Sequence, residues 1–129
     1  MKTASGTFDV TTTPQPSDQP GGQSAIARLL LVKQFHGDLE GSSQGTMLAV
    51  GDGRTSGAYV ALEVVTGTLD GRQGSFALMH RSGMRNGMPE NWSILIVPGS
   101  GTGELSGIDG EVTITIADGK HRYEIRYDG

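Results

Sequence analysis

Four side chains in the middle of this chain can do acid–base work if the backbone brings them together: Lys33, Tyr59, Glu63 and His80. A carboxylate and an imidazole move protons near neutral pH, and an ammonium or a phenol stabilises negative charge as it builds. Burial raises a carboxyl pKa and a facing ammonium lowers it, so a Glu63–Lys33 pair is tunable towards neutrality. The same residues also have a structural reading, in which Lys33 and Glu63 form a satisfied ion pair and the histidines hydrogen-bond to the wall. Buried charges are normally paired, so both readings stand at this point. Each requires that the four residues share one interior.

The elements that must position them are strands. Apolar residues recur with a period of two, and no stretch shows a convincing 3.6-residue period. Alternation and turn residues predict eight strands, at residues 3–12, 24–39, 46–50, 57–69, 74–81, 93–97, 111–117 and 120–127. Pro14, Pro16, Pro20, Gly21 and Gly22 predict a loop after the first strand. Three similar units, Gly37-Asp38-Leu39-Glu40-Gly41, Gly67-Thr68-Leu69-Asp70-Gly71 and Gly103-Glu104-Leu105-Ser106-Gly107, read as hairpin connections, and Asp118-Gly119 as the last turn. The segment 81–92 breaks the alternation and reads as a lid, with Met84, Met88 and Trp92 able to cover an apolar mouth. Eight meandering strands leave exposed edges unless they close, so a closed antiparallel barrel is expected. A barrel of that size is either filled by side chains or holds one small ligand.

Parity within the strands then assigns an interior. Taking the aromatic faces as inward places Phe35, Tyr59, Phe76, Tyr123 and Tyr127 in the lumen, with Lys33, Glu63, His80 and His121 among them. The expected catalytic set is Glu63, His80, Lys33 and Tyr59. Phe35, Phe76, Trp92, His121 and Tyr123 are the expected ligand contacts. Two histidines and Glu63 also suggest a non-haem metal set, but they lie on separate strands without a close-spaced His pair, and His36 falls on the opposite parity from Phe35. No metal and no cofactor is expected.

Composition narrows the function classes. The 129 residues suit one domain over 1–129, and 21 glycines are scattered between alternating runs as punctuation. A formal charge of -4 without a Lys/Arg cluster argues against nucleic acid and against an anionic membrane surface. There is no cysteine, hence no disulfide, no thiolate zinc site and no cysteine nucleophile. Gly99-Ser100-Gly101-Thr102-Gly103 lacks the Gly-Lys-Ser/Thr ending of a phosphate loop, and no Gly-x-Ser-x-Gly elbow occurs. Residues 1–10 lack a signal-peptide layout, and the run 29–32 is too short to span a bilayer, so a cytoplasmic protein is expected.

Lys33-Gln34-Phe35-His36-Gly37-Asp38-Leu39-Glu40-Gly41, Tyr59-Val60-Ala61-Leu62-Glu63, Gly74-Ser75-Phe76, Pro98-Gly99-Ser100-Gly101-Thr102-Gly103-Glu104-Leu105 and His121-Arg122-Tyr123 together resemble a bacterial family of small proteins of unknown function. The resemblance spans nearly the whole chain and implies an eight-stranded allene-oxide-cyclase-like barrel. That fold group includes cyclases and isomerases that enclose an apolar substrate. The expectation is a barrel that binds a small apolar organic ligand, with a cofactor-independent isomerase or cyclase as the leading activity. A non-catalytic lipocalin-like carrier and a structural protein with a filled core are the alternatives, since fold does not set function. The outer face of strand four, with Leu62 and Val64, is expected to support a homo-oligomer, as a dimer or trimer.

Overall fold

The computed structural model describes residues 1–16 and 25–129. All of its regular elements are strands: β1 (Lys2–Gln15), β2 (Ala27–Gly37), β3 (Leu39–Gly51), β4 (Gly57–Leu69), β5 (Arg72–Arg85), β6 (Met88–Ile96), β7 (Thr102–Gly103), β8 (Asp109–Ala117) and β9 (Lys120–Asp128). Antiparallel neighbours run β1 to β6 in chain order, β6 meets β8, β8 meets β9, and β9 returns to β1. The sheet therefore closes as an eight-stranded meander barrel, with the two-residue β7 added against β5. The β6–β8 seam is the thinnest, joined through Leu95 and Glu111.

Three of the reversals are Asp70-Gly71, Asn86-Gly87 and Asp118-Gly119, and in each both residues have positive φ. That backbone matches the right-handed twist of the strands it joins. Asn86-Gly87 corrects the lid expectation, because 81–92 is mostly strand and its middle is a tight hairpin turn. The alternation is broken by a bulge: Arg81 pairs with Ser93 and Gly83 with Glu90, so Asn91 and Trp92 together oppose Ser82. Asn91 takes the left-handed conformation there, with φ 54°. One extra residue hides the strand from a period-two reading.

One of the glycine units needs correction. The first two copies are hairpin connections, reversing at Gly37-Asp38 between β2 and β3 and at Asp70-Gly71 between β4 and β5. The third copy folds from β7 across one end of the barrel. What the copies share is burial of their leucines: Leu39, Leu69 and Leu105 are all sealed from solvent at this end. Beside them runs a row of glycines on adjacent strands, Gly41 opposite Gly67, Gly67 opposite Gly74, and Gly74 opposite Gly103. A Cβ on Gly67 would stand 2.2 Å from the Glu40 carbonyl oxygen and 2.7 Å from the Gly41 Cα. The strands can coil this tightly only without side chains.

Inward positions follow the predicted parity. Phe8, Phe35, Leu39, Leu69, Phe76, Leu78, Ile94, Ile96, Tyr123, Ile125 and Tyr127 form one contiguous core, so the closed end and the middle are filled by side chains. Tyr123 pins that end: its hydroxyl accepts the Leu39 N–H at 2.9 Å and donates to the His36 carbonyl at 3.0 Å. Among the described residues the opposite end is open. There the β3–β4 and β5–β6 hairpins project, and Pro14, which the sequence pattern places in a loop, belongs with Gln15 to β1. The rest of that loop, and the predicted start of strand two at Ser24, lie outside the described residues. Among the described residues no helix is long and apolar enough to cross a membrane.

Candidate functional site

β4 presents Tyr59, Ala61, Glu63, Val65, Gly67 and Leu69 inward, and Glu63 is the polar centre of that row. Its neighbour across β3 is Gly45, where a Cβ would come within 2.6 Å of the Glu63 Cβ. Glycine at 45 therefore leaves the space in which the carboxylate lies. Lys33 comes from β2 and His80 from β5, and small residues face both: Ser43 stands opposite Lys33, and Ala61 opposite His80.

The four polar groups meet inside the wall. Lys33 Nζ and His80 Nε2 each lie 3.1 Å from Glu63 Oε1, and the Ser43 hydroxyl donates to Oε2 at 3.2 Å. Exposure is 1% at Glu63, 5% at Lys33 and 4% at His80. Burial by itself would raise the Glu63 carboxyl pKa, but the His80 hydrogen bond and the Lys33 charge outweigh it and hold it below the ordinary carboxylate value. Glu63 is thus a locked anion. Lys33 is further held over the rings of Phe8 and Phe35, at 5.0 and 6.0 Å from their centroids.

Tyr59 continues the row towards the open end, with its ring centroid 6.5 Å from that of His80. The Trp92 indole donates to the Tyr59 hydroxyl at 3.1 Å. Trp92 shares its strand face with the buried Ile94 and Ile96, which turns the indole inward beside Tyr59. Burial raises the Tyr59 pKa, outweighing the Trp92 hydrogen bond that lowers it, and the Glu63 charge adds to the rise. The phenol therefore keeps its proton at neutral pH.

Around Tyr59 and Trp92 lies a pocket of about 310 Å³, lined also by Met47, Ala49, Ser82 and Met84. This is at the small end of the ~300–1,000 Å³ range of ligand sites. Of the predicted site residues, Tyr59 and Trp92 line it. His80, Glu63 and Lys33 sit behind Tyr59, deeper in the barrel. Phe35, Phe76 and Tyr123 belong to the filled core. His121 is half-buried on β9, where its ring packs on Phe8 at 5.2 Å; among the described residues it makes no hydrogen bond to Glu63. Met84 joins the pocket as the lid reading anticipated, whereas Met88 is exposed and does not line it.

Sequence reasoning missed Ser43, Gly45, Met47 and Ala49. Once β3 is extended back to Leu39, the parity that found Glu63 finds all four, since 43, 45, 47 and 49 share the face of Leu39. The arrangement offers an apolar pocket, one phenol at its inner wall and a charged, hydrogen-bonded network behind that phenol.

A family described as "Protein of unknown function (DUF3224)" matches residues 4–127. No curated protein matches the chain. Among solved structures, a protein of unknown function from the DUF3224 family of Shewanella oneidensis MR-1 is similar, with 40% identity, a TM-score of 0.88, and coverage of 99% of this chain and 97% of that one.

Proposed function

For a chain that belongs to the DUF3224 family of unknown function, as this one does, activity must be argued from the site, and we propose that the barrel binds one small, mostly apolar organic molecule at its open mouth. The observation that carries this is the apolar pocket of about 310 Å³ that ends on Tyr59 and Trp92. An apolar pocket with very few convergent polar groups is the usual form of a small-molecule site. Methionines at 47 and 84 adapt to the shape of what they enclose. We read the barrel as allene-oxide-cyclase-like, so the activity in keeping with it is a cofactor-independent isomerisation or cyclisation. Tyr59 would then stabilise negative charge on the ligand, with His80 and the Lys33–Glu63 pair setting the field behind it.

One observation favours the carrier reading over turnover. Both Glu63 oxygens already accept hydrogen bonds, from Lys33, His80 and Ser43, and the carboxylate does not line the pocket. The experiment is native mass spectrometry of freshly purified protein, paired with titration of an apolar fluorescent dye into the wild type and Ala49→Phe. One bound guest per barrel is expected, lost when the new ring fills the mouth. Exposed apolar residues on the outer wall, such as Leu62, offer dye a second surface, so the loss in the variant is the informative result. No guest at all, or a dye affinity that ignores Ala49→Phe, overturns the proposal and leaves a structural barrel with a filled core.

A further inference from the structure

The pocket's hydrogen-bonding inventory restricts what it can hold. Among the described residues its lining contains no Lys, Arg, His, Asp or Glu, so none of them compensates a charge taken out of water. Lys33, the cation behind Tyr59, is already paired with Glu63. The polar side chains among the described lining residues are Tyr59, Trp92 and Ser82, with Ser56 at the exposed β3–β4 turn. Ser82 gives its proton to the Gly83 carbonyl at 2.9 Å. The indole N–H of Trp92 is a donor only, and it is spent on the Tyr59 oxygen at 3.1 Å. Tyr59 is therefore the acceptor in that bond, and its own proton finds no acceptor among the described residues. A half-buried phenol with an uncommitted O–H is a donor waiting for a partner.

From this geometry, and resting on the reading of the mouth as a ligand site, we infer that the guest is a neutral molecule with an apolar body and one hydrogen-bond acceptor, such as a ketone, ester or epoxide oxygen, which takes the Tyr59 proton. Trp92 is the positioning residue: by donating to the phenol oxygen it turns the proton away from itself and towards the pocket. Carboxylates are disfavoured because no cation lines the wall. Hydrocarbons of equal size fit but leave the donor unpaired.

The test uses three probes of matched chain length: a medium-chain 2-alkanone, the corresponding alkane and the corresponding carboxylate at pH 8. Each competes with the apolar dye on the full chain. The ketone should bind roughly three- to tenfold more tightly than the alkane, as one buried hydrogen bond provides, and the carboxylate should bind most weakly. Tyr59→Phe, which keeps the ring, should bring the ketone-to-alkane ratio close to one. Trp92→Phe should reduce the same ratio, because the phenol proton is then free to turn. If the probes compete but the ketone has no advantage, or keeps it in Tyr59→Phe, this inference fails while the pocket reading survives. Carboxylate binding as tight as that of the ketone overturns it as well. If no probe competes, the pocket reading falls and the inference with it.

Discussion

Removing Lys33 should expose how the polar centre of the barrel is held together. The ammonium and the Glu63 carboxylate are 3.1 Å apart, and both are nearly sealed from water. At an effective dielectric of about 20 their attraction is about 5 kcal/mol. Breaking such a pair from one side typically costs ~3–5 kcal/mol, because the remaining charge stays buried. Lys33→Met should lose stability in that range, moderated by the His80 and Ser43 hydrogen bonds that remain on Glu63. Glu63→Gln should cost somewhat less, about 2–4 kcal/mol, since the faces of Phe8 and Phe35 still hold the ammonium. The double variant buries neither charge, so it should be more stable than the sum of the singles by about 2 kcal/mol or more.

Urea unfolding at pH 7 measures all three, and its pH dependence supplies a second signature. In the wild type the Glu63 pKa is lowered on folding, so its contribution is full above the ordinary glutamate value near 4.5 and is lost as pH falls below it. In Lys33→Met the ammonium that helped to offset burial is gone while the His80 hydrogen bond stays, so the folded pKa moves upward from its wild-type position. Protonation then relieves the buried anion, and the deficit relative to wild type should shrink between pH 7 and pH 5. Single variants within about 1 kcal/mol of wild type, strict additivity in the double, and a deficit that does not change with pH would refute the reasoning.

The two kinds of glycine should separate. Gly71→Ala meets open space and only strains a φ of +84°, costing about 1–2 kcal/mol; Gly67→Ala drives a methyl into the neighbouring backbone and should cost more, and thermal unfolding that ranks them the other way contradicts the close-coiling account. Tyr123→Phe strands the Leu39 N–H and should cost about 1–3 kcal/mol, with faster amide exchange at Leu39 as the local readout. On the outer wall, Leu30, Thr46, Leu62, Met79 and Leu95 pair across adjacent strands. With Leu48, Val60 and Val64 they form an apolar patch, in which Leu62 is 60% exposed, bordered by Arg28 opposite Leu48 and Arg81 opposite Val60. Monomers rarely leave so much contiguous apolar surface, and a second copy can cover its centre with the arginines left at the rim. Sedimentation should therefore show a dimer that Leu62→Arg dissociates, and a monomeric wild type at micromolar concentration removes this prediction.

The sequence by itself determined which way β2, β4, β5 and β9 face. A period of two ties every residue of a strand to its neighbours, so the aromatic positions at 35, 59, 76 and 123 were enough to turn Lys33, Glu63 and His80 inward. Closure followed from the count of strands and the cost of leaving edges unpaired. Several features could be decided only by tertiary structure. Gly41, Ser42, Ser43, Gln44 and Gly45 have low strand propensity, yet they are strand because β2 and β4 pair with them on both sides. The bulge at Asn91–Trp92 resets parity by one residue between Ser93 and Glu90, which no periodic reading can follow. Whether the lumen is hollow depends on how side-chain volumes sum across eight strands. Phe8, Phe35, Phe76 and the three leucines of the glycine units fill the closed end and the middle, so among the described residues open space in the lumen lies at the mouth, where the hairpins rise above the core.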